Sequence, residues 1–384
     1  MSVTFPKGFL AAGVAAGLKA SGNPDVALVV NDGPEFVSAG VFTSNRIKAA
    51  PVLWTQQCNS NGSFRAVVLN SGGANACTGP DGFADTHHTA ELVADLLQIG
   101  AIDVAVCSTG LIGKRLPMDK LTSGIQQAHQ ALAIDGGNDA ATAIMTTDSV
   151  AKTSSYESPD GWRIGGMAKG AGMLAPGLAT MLVVITTDAS LDAVRADAAL
   201  RQATRVSFDR IDSDGCMSTN DTVLLLASGA SGQTPEQDAF STGLTQVCLD
   251  LARQLIADAE GATKDIKIVV SKAASDQDAV EVARSVSRSN LLKCAIHGED
   301  PNWGRVLAAI GTTQATFEPD AIDVDFNGVA VCRSGAALAE EPVVDLKGRV
   351  VEIDIALHAG EAKATLWTND LTAMYVHENS AYST

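Results

Sequence analysis

Short stretches that are almost wholly apolar recur along this chain: Arg65 to Leu69, Asp103 to Cys107, Met181 to Ile185 and Ile266 to Val270. Runs of that length, rich in Val and Ile and without alternation, read as strands buried on both faces. Between them lie helical patterns. Gly82 to Gly100 places Leu92, Leu96 and Ile99 on one stripe, and Asp278 to Leu292 reads as a helix. Another starts at Thr234, with Pro235 at the first helical position and Gln237 completing a capping box, and continues through Phe240, Leu244, Val247, Leu251 and Leu255 to Gly261. Ile322 to Cys332, Val350 to Leu357 and Ala362 to Trp367 read as paired strands. Strands that need cover on both faces, alternating with amphipathic helices, imply a layered α/β architecture.

Aromatic residues make up only 4% of the 384 residues, so the core must be built from Ala, Val, Leu and Ile. The length suggests about two domains. The formal net charge is −17, which disfavours nucleic acid and anionic membranes as partners. The charge is uneven: 11 basic and 14 acidic residues lie up to Ala179, against 16 and 30 beyond it. An anionic substrate would therefore need cations gathered locally. The seven Cys are odd in number and lack any CxxC, which argues against a disulfide framework and a zinc ribbon. They read as small buried residues of a reducing compartment, with Cys107 as core filler. His87 and His88 are adjacent, so they do not share a helix face and cannot make one metal site. The apolar run Phe9 to Leu18 contains two Gly, follows Pro6 and ends at Lys19 without a polar cleavage region, so it argues against a signal peptide. No run reaches the roughly 18 apolar residues of a membrane span. The expectation is a cytoplasmic protein.

Several motifs are missing in an informative way. Gly165 to Gly172 is not GxGxxG, and Gly110 to Arg115 lacks the spacing and the Ser/Thr of a P-loop. Neither GxSxG nor HExxH occurs. The most telling stretch is Lys169 to Asp188, where a Gly- and Pro-rich loop runs through Ala179-Thr180 into an apolar strand. One reading is an ordinary loop leading into a core strand. The sharper reading is self-cleavage at Ala179–Thr180, since a strained loop can present a hydroxyl to its own preceding carbonyl. Thr180 would then carry a free α-amine, with a reference pKa of about 8, able to take the proton of its own hydroxyl without a separate His.

At this point the chain resembles the ornithine acetyltransferases, the bifunctional glutamate N-acetyltransferases. The resemblance runs from the Phe9 to Lys19 opening through Asn70-Ser-Gly-Gly-Ala-Asn-Ala-Cys77, Ser108-Thr-Gly110, Leu116-Pro-Met-Asp119 and Ile144-Met-Thr-Thr-Asp148. It continues through the Lys169 to Asp188 block, Ser218-Thr-Asn-Asp-Thr222, Gly298-Glu-Asp-Pro-Asn-Trp-Gly-Arg305 and the tail Asn379 to Thr384. Gly177-Leu178 departs from the Asn-Met expected before the cleavage point; Ala179-Thr180-Met181-Leu182 is intact.

The resemblance implies a layered sandwich of the self-processing N-terminal-nucleophile type with a smaller C-terminal α/β part. Cleavage would give an alpha chain, 1–179, and a beta chain, 180–384, assembled as a tetramer of two heterodimers. The implied reaction moves the acetyl group of N-acetylornithine to glutamate, releasing ornithine and N-acetylglutamate, in a ping-pong cycle through acetyl-Thr180. Thr109 and Gly110 would form the oxyanion hole. Thr146, Lys169, Thr180, Glu260, Asn379 and Thr384 would contact substrate. Each has a plainer alternative: a turn at Thr109-Gly110, helix capping by Thr146, Thr147 or Asp148, a solvated loop lysine at Lys169, a frayed helix end at Glu260, and a loose terminus at Asn379 and Thr384. Glu260 is the more pointed of these, because an acid at a helix C-terminus opposes the dipole and would suit a substrate amine. No cofactor and no metal are implied, with acetyl-CoA left open as a further donor. The alternative is a related self-processing aminopeptidase or amidohydrolase.

Overall fold

The computed structural model describes residues 2–175 and 181–381, which divide into two compact units. The first takes the chain up to Asp209 and Cys216–Leu255; the second takes Arg210–Gly215 and the chain from Ile256 onward. Strands of the first unit are β1 (Phe9–Val14), β2 (Val26–Asn31), β3 (Val37–Phe42), β4 (Ala66–Ser71), β5 (Val104–Thr109), β6 (Lys152–Glu157), β7 (Arg163–Lys169), β8 (Leu182–Thr187) and β9 (Thr222–Ala227). Its helices are α1 (Ala50–Cys58), α2 (Gly79–Leu97), α3 (Met118–Gln130), α4 (Gly137–Ala143), α5 (Ala193–Val206) and α6 (Gln237–Ala257).

Two sheets form the middle of this unit, in the orders β1-β2-β4-β5 and β3-β9-β8-β7-β6. Alternate residues of the first sheet (Phe9, Ala11, Val29, Leu69, Cys107) and of the second (Met167, Leu182, Val184, Leu224, Leu226) share one buried core. The opposite face of the first sheet, carrying Leu28, Val68 and Val106, packs on α2 through Val93 and on α3 through Ile125. On the second sheet, Gly166 lies directly under Val247 and Leu251 of α6. Every central strand is thus covered on both sides, which is why β2, β4, β5, β8 and β9 are buried at all six positions. The result is the expected layered α/β sandwich.

In the second unit, β10 (Asp265–Ala273), β11 (Asp323–Phe326), β12 (Val329–Arg333), β13 (Ala336–Ala337), β14 (Val350–Ala356) and β15 (Ala362–Asn369) form one sheet. The order is β13-β12-β11-β14-β10-β15. One face packs on α7 (Asp276–Ser287), α8 (Asn290–His297) and α9 (Trp303–Ile310), and a last helix, α10, spans Ala373–Ala381. This unit is the smaller C-terminal α/β part.

The structure corrects several local expectations. The buried stripe of α2 is made of Thr86, Thr89, Ala90 and Val93, whereas Leu92, Leu96 and Ile99 sit at its half-buried margin. Helix α6 begins only at Gln237, because the Gln237 side chain bonds Arg195 and Ser241 instead of closing a box with Thr234. Asp278 to Leu292 is two helices, since the Ser289 hydroxyl accepts the Leu292 N–H and starts α8. Ile322 to Cys332 is a hairpin that turns at Asn327-Gly328, both with positive φ. β14 and β15 do not pair with each other; β10 lies between them. Cys107 is core, but Cys77, Cys216 and Cys294 are exposed. Phe9 to Leu18, read above as unlike a targeting segment, contributes strand β1 to the first sheet. No described helix is long and apolar enough to cross a membrane.

Helix α4 seats directly on β1. A Cβ on Gly13 would lie 2.0 Å from the Asp139 carbonyl oxygen. Gly13→Ala must therefore push backbone from backbone, and should lower the unfolding free energy by roughly 1–3 kcal/mol or more. Urea denaturation checks this; an unchanged midpoint would show that the two elements can separate freely.

Candidate active site

β4 and β5 are parallel neighbours, with Asn70 opposite Ser108 and Ser71 opposite Thr109. At their C-terminal ends the backbone stops pairing regularly and side chains take over. The Ser108 hydroxyl donates to Asn70 Oδ1 at 2.6 Å, and Asn70 Nδ2 donates to the Gly73 carbonyl. Asn220 Nδ2 clamps the same place, donating to the carbonyls of Ala74 and Ser108 at 2.6 and 2.8 Å.

The peptide between Thr109 and Gly110 is held by this scaffold. Its carbonyl accepts from both Gly72 N–H and Gly73 N–H, at 2.9 and 3.0 Å. In a trans peptide the N–H points opposite the C=O, so the Gly110 N–H is aimed away from the Gly72-Gly73 loop. It has no backbone partner among the described residues. Gly110 has φ +128, and a Cβ there would come within 2.6 Å of Gly73 N, so only glycine fits this approach.

The Thr109 side chain is equally constrained. Lys169, the last residue of β7, is 1% exposed and donates from Nζ to Thr109 Oγ1 at 3.2 Å. An ammonium has no acceptor, so Thr109 must accept there and keep its own proton for another partner. Among the described residues this leaves two unspent donors on consecutive residues, the Thr109 hydroxyl and the Gly110 N–H. The plainer alternative of a solvated loop lysine fails for Lys169, which lies inside the protein at the end of a strand.

Asp148 supplies the counter-charge. Its side chain and that of Lys152 are both fully buried and 2.6 Å apart. Asp148 Oδ1 also accepts from Gly170 N–H, and Oδ2 accepts from Thr146 N–H. Burial alone would raise this carboxyl, but Lys169 and Lys152 outweigh it and bring it down to about 2. Thr146 therefore stands in a turn held by Asp148, and none of Thr146, Thr147 and Asp148 caps a helix. Lys19 adds a further half-buried cation. Asp25 accepts the N–H groups of Ala16, Leu18 and Lys19, Leu18 packs on Gly72, and Lys19 feels both Asp148 and Lys169.

The chain enters β8 beside this cluster, with Leu182 opposite Lys169 on one side and Thr222 on the other. Ala179 and Thr180 lie outside the described residues, as does Thr384. In the second unit, Glu260 is not at the end of α6 but in the turn that follows Ala257. Gly261 packs against the backbone of Met374 and Tyr375, which brings α10 close enough for Asn379 Nδ2 to donate to Glu260 Oε2 at 2.9 Å. So Thr109, Gly110, Thr146 and Lys169 come together in one unit, and Glu260 and Asn379 in the other. Sequence reasoning assigned no role to Lys152, Asn220 or Asp221. The pairing of Asp148 with Lys152 at i, i+4 and the polar Asn220-Asp221 just before an apolar strand were the available signals. Among the described residues, no group of His, Cys, Asp and Glu is arranged to hold a metal ion.

Asp148→Asn leaves two buried lysines without their carboxylate and should cost roughly 3–5 kcal/mol of stability. The pH dependence follows from the sign of the shift. The folded-state pKa lies below the ordinary value, so the contribution is complete above about pH 4 and is lost as pH falls toward 2. Urea denaturation of the Asn variant should be flatter than wild type across that window; equal acid sensitivity would remove Asp148 from the account.

The chain is also similar to known proteins. The ArgJ family profile matches residues 10–384. An arginine biosynthesis bifunctional protein ArgJ of Streptomyces coelicolor is 66% identical over the full length of both chains. One from Mycobacterium tuberculosis is 56% identical over 99% of this chain and 96% of its own. A crystal structure of an ornithine acetyltransferase complexed with ornithine, also from Mycobacterium tuberculosis, is 60% identical over 47% of this chain and 96% of that one, with a TM-score of 0.46. A profile match over nearly the whole sequence, joined by full-length relatives of this identity, settles the assignment: the chain belongs to the ArgJ family.

Proposed function

We propose that the chain cleaves itself between Ala179 and Thr180 and then carries the acetyl group of N-acetylornithine to glutamate on Thr180. The protein is an acetyltransferase of arginine biosynthesis, as its full-length ArgJ relatives support. The observation that carries the mechanism is the pair of unspent donors at Thr109 and Gly110, fixed in direction by Lys169, Gly72 and Gly73. Acyl transfer passes through a tetrahedral oxyanion, and donors aimed in advance stabilise it without reorganising.

In this scheme the Thr180 hydroxyl attacks the acetyl carbonyl while its α-amine takes the hydroxyl proton. The oxyanion sits on Thr109 and Gly110. Collapse releases ornithine, whose leaving nitrogen recovers the proton. Glutamate then attacks acetyl-Thr180 by the same steps in reverse. The buried positive charges of Lys169 and Lys152 outweigh the negative charge of Asp148, which favours both the oxyanion and the carboxylates of the substrates. Thr146, Glu260, Asn379 and Thr384 are proposed substrate contacts, with Glu260 facing the cationic amine. No cofactor enters the scheme; acetyl-CoA is a second donor to be tested against acetylornithine. Cytoplasmic location and a tetramer of two heterodimers complete the proposal. The hydrolytic aminopeptidase reading is not favoured, because the full-length relatives are biosynthetic.

Mass spectrometry of purified protein should show two fragments, the second beginning at Thr180, and Thr180→Ala should stay whole and inactive. A single uncut species in active wild-type protein would refute self-cleavage. Thr109→Ala should lower kcat by about 10²–10³ with little change in KM. A change confined to KM would make Thr109 a plain binding residue.

A further inference from the structure

We infer that Asp370 is a positioning residue, which holds the Glu260 turn so that the Glu260 carboxylate can meet the side-chain amine of the donor substrate. This rests on the reading of Glu260 given above and adds to it the residue that keeps Glu260 in place.

Glu260 is only 9% exposed, yet it stands in the turn between α6 and β10. Keeping a carboxylate out of water costs free energy, so the turn must be held from elsewhere. Asp370 follows β15 directly, and its side chain is fully buried. Its Oδ1 accepts the N–H groups of Thr263 and Lys264, at 2.8 and 2.9 Å. Its Oδ2 accepts the Thr263 hydroxyl and lies 2.8 Å from Nδ1 of His297, the last residue of α8. Burial alone would raise this carboxyl, but the Thr263 hydroxyl, the Lys264 and Thr263 N–H groups and His297 outweigh it and hold it below the ordinary value. Three of these four donors belong to the segment that leads out of the Glu260 turn. Lys264 anchors the same segment, because its buried Nζ donates to the carbonyls of Leu346, Lys347 and Gly348.

The other side of the turn is tied to the residues just after Asp370. The Thr372 hydroxyl donates to the Gly261 carbonyl at 2.7 Å and accepts the Tyr375 N–H in the first turn of α10. Helix α10 then carries Asn379 to Glu260. The contacts form a ring: Glu260 to Thr263 along the chain, Thr263 to Asp370 through the carboxylate, Asp370 to Asn379 along the chain, and Asn379 back to Glu260. Asp370 closes that ring with a charge and touches neither Glu260 nor Asn379 by hydrogen bond. In N-acetylornithine the α-nitrogen is acylated, so the cationic group is the amine at the end of the side chain. A carboxylate that meets such an amine must be held to within about 0.5 Å of its productive place, and a turn achieves that only when pinned.

The test compares two acetyl donors to glutamate. One is N-acetylornithine; the other is N-acetylnorvaline, which has the same carbon skeleton without the side-chain amine. Asp370→Asn keeps an oxygen for the Thr263 and Lys264 N–H groups but removes the charge and turns an NH₂ group toward the Thr263 hydroxyl and His297. It should lower kcat/KM for N-acetylornithine about tenfold, as for the loss of one charged hydrogen bond, mainly through KM. N-acetylnorvaline should stay within about twofold of wild type, a selectivity that a general structural defect would not give. Combining it with Glu260→Gln should be no worse than Glu260→Gln alone, because both act through one contact. A folded Asn variant that keeps the wild-type preference, or loses both donors equally, overturns the inference. If the Asn variant does not fold, Thr263→Val decides: it should lose part of the preference, and Thr263→Ser should keep it. A Val variant with the full preference overturns the inference. A Glu260→Gln variant that retains the wild-type preference overturns the reading of Glu260 itself, and the inference with it.

Discussion

The site depends on one peptide group, the link between Thr109 and Gly110. Two backbone N–H groups hold its carbonyl, so its own N–H has a fixed direction. One buried ammonium bonds the neighbouring hydroxyl, so that proton too must point elsewhere. Neither donor is created by a flexible side chain searching for a partner. Both follow from where the parallel pair β4 and β5 ends and from what the facing sheet, through Lys169, brings to that end.

The chain is strongly acidic, yet its buried charge near this peptide has the opposite sign. Lys152 and Lys169 outnumber Asp148 there. Burying such a cluster costs desolvation free energy, which the short Asp148–Lys152 contact and the Gly170 and Thr146 N–H bonds offset. In the proposed function these buried cations are the local charge that an anionic substrate would need.

How much of this was legible in the sequence differs by residue. The strands at Arg65–Leu69, Asp103–Cys107 and Met181–Ile185 were readable because burial on both faces leaves a continuous apolar run. Strands β6 and β7 were not, since Ser154, Ser155, Gly165 and Gly166 carry no apolar signal; Gly166 is small because α6 lies directly above it. Thr109 and Gly110 were placed correctly at a strand end, but their donors could be assigned a direction only from the contacts of Gly72, Gly73 and Lys169. Lys169 itself looked like part of a loop, because glycines that suggest a flexible loop here permit close packing in a strand. Asp221 was visible only as part of a motif; its burial and its unmatched oxygen are properties of the folded chain.

The most direct test of the account is to look for the acetyl group on the protein. Cleaved enzyme mixed with N-acetylornithine alone, quenched rapidly and analysed by mass spectrometry should carry one acetyl group on the fragment beginning at Thr180, mapped to that residue. Adding glutamate should remove it and yield N-acetylglutamate. Turnover without any acetylated fragment, or with the acetyl group on another residue, would contradict the account.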